Sequence, residues 1–92
     1  GDLWWSDVGS WDSLEALYDK DEYGNITYWE QVHIDTHDCI IYAKNKLVTT
    51  IGLDNIVVVE TEDAVLVCDK NRAQEVKKIV EALEDCNKRQ YL

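Results

Sequence analysis

Asp7 lies inside the run Trp4-Trp5-Ser6-Asp7-Val8-Gly9-Ser10-Trp11, a carboxylate two residues before a glycine and between aromatic side chains. A carboxylate held on such a turn can ligate a divalent cation, provided a second carboxylate arrives from elsewhere to hold Mg2+ against phosphates. The same residues also read as helix-entry chemistry, with Asp7 or Ser10 as cap and the tryptophans filling core. On residue types alone both readings stay open. Rings this large are costly to leave in water, so the run either caps a local core or forms one edge of a larger active site.

A second set is His33, Asp35 and His37, which alternate with other residues and would share one face of a strand. Three such side chains could hold a transition metal, but Asp35-Thr36-His37-Asp38 also reads as turn chemistry, which would break the shared face. The turn reading is preferred, because bound zinc wants four convergent ligands, or three and a water. His37 and Cys39 are near in sequence, yet a thiol nucleophile and its base are brought together in space rather than by adjacency. Neither GxxxxGK nor GxGxxG occurs.

The elements that must position these groups belong to one small domain, since 92 residues bury a modest core and no large enclosed cleft. Nine Lys and Arg face 19 Asp and Glu, a formal net charge of −10. Such a surface repels nucleic-acid backbones and anionic lipid, so those partners are not expected. Cys39, Cys68 and Cys86 form no CxxC pair and are odd in number, which suits a reducing compartment. No apolar run approaches a membrane span, and a cytoplasmic location is expected. The chain lacks methionine, so Gly1 is expected to be a tag remnant or an internal position, and the chain a piece cut at its N-terminal side.

Trp11, Leu14 and Leu17 predict a short N-terminal helix from Ser10 to about Tyr18, and the charged stretch ending Gly24-Asn25 predicts a loop with a tight turn. From Ile26 the period changes. Apolar, β-branched clusters at Val32/Ile34, Ile40 to Tyr42, Leu47 to Ile51, Ile56 to Val59 and Ala64 to Val67 predict strands. The expected breaks are Asp35 to Asp38, Lys44 to Lys46, Gly52 to Asn55 and Glu60 to Asp63. Ile34 and Ile51, Ile41 and Val58, and Val48 and Val65 are each 17 positions apart. That spacing is just under three hexapeptides, as in one coil of a left-handed β-helix, though a meander of hairpins would also produce it. Ala73, Val76, Ile79, Val80 and Leu83 then share one helical face after Asp69-Lys70-Asn71, either polar end of which can act as N-cap.

Trp5-Ser6-Asp7-Val8-Gly9-Ser10-Trp11, Asp21 to Asn25, Asn45 to Leu53, Val57 to Val59, Ala64 to Val67 and Arg72 to Val80 together, and in this order, resemble the C-terminal part of the bacterial mannose-1-phosphate guanylyltransferase family. Trp4 departs from it, standing where the family commonly has glycine. The resemblance implies residues 1–30 as the tail of a nucleotidyltransferase domain and linker, and residues 31–92 as a small left-handed β-helix-like domain closed by the C-terminal amphipathic helix. The fold class is thus mainly β with flanking helices.

It further implies a parent enzyme that joins GTP and mannose 1-phosphate to give GDP-mannose and pyrophosphate. Asp7 would be one of two aspartates holding the catalytic Mg2+, the other lying in a missing N-terminal nucleotidyltransferase domain. Gly9 would keep the backbone close to the sugar side of the pocket, and Trp5, Ser10 and Trp11 would pack the motif. This piece would then have a structural and oligomerisation role, as part of a homodimer, and no activity alone. Some members of the family continue into a mannose-6-phosphate isomerase domain. The competing expectation is a self-contained acidic interaction module whose tryptophans bind a protein.

Overall fold

The computed structural model describes residues 19–28 and 30–91. Asp7, Gly9, the tryptophan run with Trp5, Ser10 and Trp11, and the expected helix from Ser10 to Tyr18 all lie outside the described residues. Six strands follow: β1 (Ile26–Tyr28), β2 (Gln31–Ile34), β3 (Ile40–Tyr42), β4 (Val48–Ile51), β5 (Ile56–Glu60) and β6 (Val65–Asp69). A 3-10 helix, Lys70–Glu75, leads into α1 (Val76–Asp85), and a second short 3-10 turn spans Arg89–Tyr91.

The chain coils. Strands β1, β3 and β5 pair in parallel, as do β2 and β4, so successive coils stack two sheets on one another. Ile34 pairs with Ile51 and Ile41 with Val58, so these two 17-residue spacings are the parallel register of a β-helix-like coil. The third spacing is not. Val65 lies opposite Glu60, because the chain reverses at Thr61 and β6 returns antiparallel to β5, ending the coil with a hairpin. Thr61 N–H donates to Ala64 O across that turn. Strand β1 stands ahead of the first strand expected from the sequence, and its residues Ile26, Thr27 and Tyr28 are all good strand formers.

One coil is shorter than the next. Ile26 pairs with Ile40 at a separation of 14 residues, whereas Ile40 pairs with Val57 at 17. The difference sits at one corner, where residues 43–47 join β3 to β4 but only residues 29–30 join β1 to β2. Glu60 holds the longer corner. Its carboxylate accepts from the Lys44 and Asn45 backbone N–H groups, both at 3.1 Å, and the residue is 2% exposed. Glu60 is therefore the buried end of β5 rather than the start of a polar break, as the sequence pattern suggested, because two amides need an acceptor there.

The other corners repeat in backbone conformation. Asp35 and Gly52 have positive φ, as do Asp38 and Asn55, each pair one coil apart. Asp, Asn and Gly are the residues that adopt this left-handed conformation at least cost. Gly24 occupies the same corner as Asp38 one coil earlier, where Asp38 N–H donates to Tyr23 O.

Two apolar layers result. Ile41, Val58 and Cys39 are buried between the two sheets, with Val48, Leu53 and Ile56 against them. On the opposite face of the larger sheet, Ile26, Ile40, Val57 and Val59 pack under Ala73 and Val76. Burying each of the aliphatic side chains of Ile and Val is worth about 1.5–3 kcal/mol. Asp69 caps the 3-10 helix, accepting from Asn71 N–H at 2.7 Å. Only the start of the expected helical stripe is fully covered. Val80 and Leu83 are half-buried, and Ile79 is 42% exposed.

Candidate functional site

Polar side chains gather where the loop before β1 meets the end of β2. Asp21, Tyr23, Asn25, His33, Asp35, Thr36 and His37 line a cavity of about 310 Å³ there. The loop is built on Asp21, whose Oδ1 accepts from the backbone N–H groups of Tyr23 and Asn25, both at 2.9 Å. Gly24 permits the turn with its positive φ. Asn25 is then buried, donating through Nδ2 to Thr36 O at 2.8 Å and accepting from Cys39 N–H at 2.9 Å. One coil on, Cys39 Sγ accepts from Ile56 N–H at 3.4 Å in the same way. The side chain at this position thus ties each coil to the next.

His33 points inward between β2 and β4 and is held at both ring nitrogens. Gln31 Nε2 donates to Tyr28 O and Ile41 O, which leaves Gln31 Oε1 as the acceptor facing His33 Nε2. In the neutral ring Nδ1 then accepts from the Thr50 hydroxyl at 2.6 Å; Thr50 Oγ1 lies 2.7 Å from Thr36 Oγ1, and the Thr36 hydroxyl donates to Ile34 O at 3.2 Å. Burial pushes the His33 imidazole below its ordinary pKa, against a smaller opposing pull from Asp21.

The alternative to the turn, a shared strand face of His33, Asp35 and His37, does not form. Asp35 has φ of 49°, which ends β2, and His37 turns its ring edge-on to Tyr23 at 5.8 Å between centroids. The turn chemistry prevails. Among the described residues, no group of three His, Cys, Asp or Glu side chains could hold a metal ion. Cys39 is fully buried and donates its S–H to His37 O, and burial pushes its thiol upward. A thiol so placed is a structural group and not a nucleophile. Asp7 and Gly9, the residues expected to meet metal and substrate, lie outside the described residues.

Sequence reasoning passed over Gln31, Thr36 and Thr50. A signal existed for one of them, since His33 and Thr50 are 17 residues apart and pair in the β2–β4 register. The arrangement ties corners and coils together. It presents no activated nucleophile.

A family profile described as the MannoseP isomerase/GMP-like beta-helix domain matches residues 29–83. Over 90 residues, 98% of this chain and 19% of its own length, a Vibrio cholerae serotype O1 protein assigned as a mannose-1-phosphate guanylyltransferase is 56% identical. The mannose-1-phosphate guanylyltransferase of Escherichia coli K12 is 43% identical over 83 residues, 90% of this chain and 17% of its own. A crystal structure described as mannose-1-phosphate geranyltransferase from Thermus thermophilus superposes with a TM-score of 0.73 at 38% identity, covering 85% of this chain and 24% of that one. The chain therefore spans about a fifth of the length of the curated relatives it matches. No helix among the described residues is long and apolar enough to cross a membrane.

Proposed function

Because this chain belongs to the MannoseP isomerase/GMP-like beta-helix domain family, we propose that it is the C-terminal part of a mannose-1-phosphate guanylyltransferase, which converts GTP and mannose 1-phosphate to GDP-mannose and pyrophosphate. The observation that carries this reading is identity of 56% to a protein assigned that activity, running over 98% of this chain but only 19% of the relative. A match of that kind supports reading the chain as one region of a larger protein. Residues 1–30 are then the tail of a nucleotidyltransferase domain with its linker, and residues 31–92 the small left-handed β-helix domain.

The described residues suit a structural and oligomerisation role, in a homodimer, and the piece is inactive alone. Near the polar cavity Asp21 and Asn25 are bonded to backbone groups. His33 has both nitrogens engaged, and Cys39 is buried. Chemistry then belongs to a site completed elsewhere, to which this chain contributes Asp7 as a ligand of Mg2+ and Gly9 as backbone beside the sugar, with Trp5, Ser10 and Trp11 packing around them. The metal, when bound, neutralises charge on the nucleotide phosphates.

Two measurements test the reading. The 92-residue chain incubated with GTP, Mg2+ and mannose 1-phosphate should release no pyrophosphate, and turnover at an enzyme's ordinary rate would overturn it. In the full-length protein Asp7→Asn should lower kcat by ~100-fold or more with an unchanged unfolding midpoint. Near-normal turnover would return Asp7 to a helix-capping role.

A further inference from the structure

Five side chains around the polar cavity keep bonding capacity that the fold does not use. Asn25 is 2% exposed, and its Nδ2 carries two hydrogens. One goes to Thr36 O, and the second has no acceptor among the described residues. A buried donor left unmade is costly, so this one calls for an acceptor in the cavity that Asn25 lines. Asp21 takes both of its backbone bonds through Oδ1, which leaves Oδ2. Asp35 and His37 make no side-chain hydrogen bond among the described residues, although the His37 ring meets Tyr23. Tyr23 is itself 55% exposed and brings ring surface to the same space. His33, with both nitrogens engaged, is a fixed part of the wall.

These groups discriminate between classes of ligand. Asp21 and Asp35, on a chain of net charge −10, repel a phosphate or a carboxylate. No three of the described His, Cys, Asp and Glu side chains could hold a metal ion. An organic cation would satisfy the carboxylates but would set its own N–H groups against the Asn25 N–H. A hydroxyl serves both, donating to a carboxylate oxygen and accepting from an amide N–H. We propose that the cavity binds one neutral sugar ring, a hexopyranoside, through its hydroxyls. Asn25 donates to one hydroxyl, Asp21 Oδ2 and the Asp35 carboxylate accept from its neighbours, and a His37 nitrogen completes the set. The C–H face of the sugar lies on the Tyr23 ring. A volume of about 310 Å³ is at the lower end of the range for ligand pockets, about 300–1,000 Å³, and suits a single ring rather than a nucleotide. The loop is already closed on itself, Asp21 N–H donating to Asn25 O at 2.8 Å and Gly24 N–H to Asp21 O at 3.0 Å, so binding requires little further ordering. The sugar is held and not converted, because no activated nucleophile faces it. This binding site is separate from the guanylyltransferase reading and stands or falls without it.

The test titrates the isotopically labelled chain, followed by NMR, with the methyl α-pyranosides of D-glucose, D-mannose and D-galactose, each to ~100 mM. At least one is expected to shift the Asn25 side-chain amide and the Gly24 backbone amide saturably, with a Kd of ~10 mM or tighter. Asp35→Asn removes the charge while keeping a residue that tolerates positive φ, and should raise that Kd ~10-fold. Tyr23→Ala should raise it by a similar ~10-fold through loss of the ring. Both positions are exposed, and unchanged amide shifts in β5 check that each variant is folded; if one is not, the other carries the comparison. A Kd that neither substitution changes puts the sugar elsewhere and overturns the site. Absence of a saturable shift with all three glycosides means that the cavity holds water only, and overturns it too. Ethylammonium chloride is titrated in parallel, and saturable shifts of the same amides by that cation but by no glycoside would reassign the cavity to an organic cation and overturn the proposal.

Discussion

His33 is the clearest case of a side chain whose chemistry is set by what it touches. Its sequence context offered a metal ligand, and its surroundings make it a hinge between coils, bonded to Gln31 and Thr50. Because the folded ring is disfavoured in its charged form, its folded pKa lies below the unfolded value of about 6.5. The unfolded chain then binds more protons than the folded one as pH falls past that value. The stability His33 contributes is present above about pH 6.5 and is lost as pH falls through the folded pKa. Urea unfolding followed from about pH 8 to about pH 5 should show that decline, and His33→Gln should flatten it; an unchanged slope in the variant would assign the decline to other groups. Glu75 shows the opposite arrangement at the surface, its carboxyl lowered to about 2 by hydrogen bonds from Arg72 and then Lys78. With Arg72 69% exposed, that pairing is screened by solvent and contributes little.

The corners decide how the strands stack. Two glycines with positive φ allow a controlled comparison, since each would carry the same backbone strain as alanine but they differ in what surrounds them. A Cβ at Gly52 would stand in open space, whereas one at Gly24 would collide with Asp38 Oδ1. Gly52→Ala should cost about 1–2 kcal/mol of strain, and Gly24→Ala should cost more, because it also displaces Asp38 at the neighbouring corner. Chemical denaturation of the two variants checks this, and equal losses would mean that Asp38 swings aside freely. The same logic explains why strand positions were readable and corners less so. Alternation of Val and Ile marks a strand wherever it falls, and five of the six strands stood out this way. The acceptor for the three-residue-longer corner, Glu60, looks in sequence like any acidic turn residue. Its burial follows from two amides, of Lys44 and Asn45, that only the folded coil brings within reach.

At the scale of the molecule, charge and edges dominate. Nineteen acidic residues against nine basic ones leave the folded chain self-repelling, while the ion pairs of Arg72 and Lys78 with Glu75 and of Arg89 with Glu84 lie at the surface. Added salt should therefore stabilise it, because screening relieves more repulsion than attraction. Raising NaCl from about 0.02 to about 0.5 M is expected to raise Tm by about 3 °C, as thermal unfolding would record, and a fall would mean that the surface pairs outweigh the repulsion. The sequence by itself determined the positions of five of the six strands, the C-terminal helix, the charge and the family, because these rest on local pattern and on ordered motifs that survive without coordinates. Tertiary structure alone decided that two of the three 17-residue spacings are true registers while the third is broken by a hairpin, since pairing depends on where the chain reverses and a fixed separation in sequence does not record direction. It also decided that His33 and Cys39 are tied into the coil, and that among the described residues no strand lies on the outer side of β6, because neighbours in space exist only once the chain has folded.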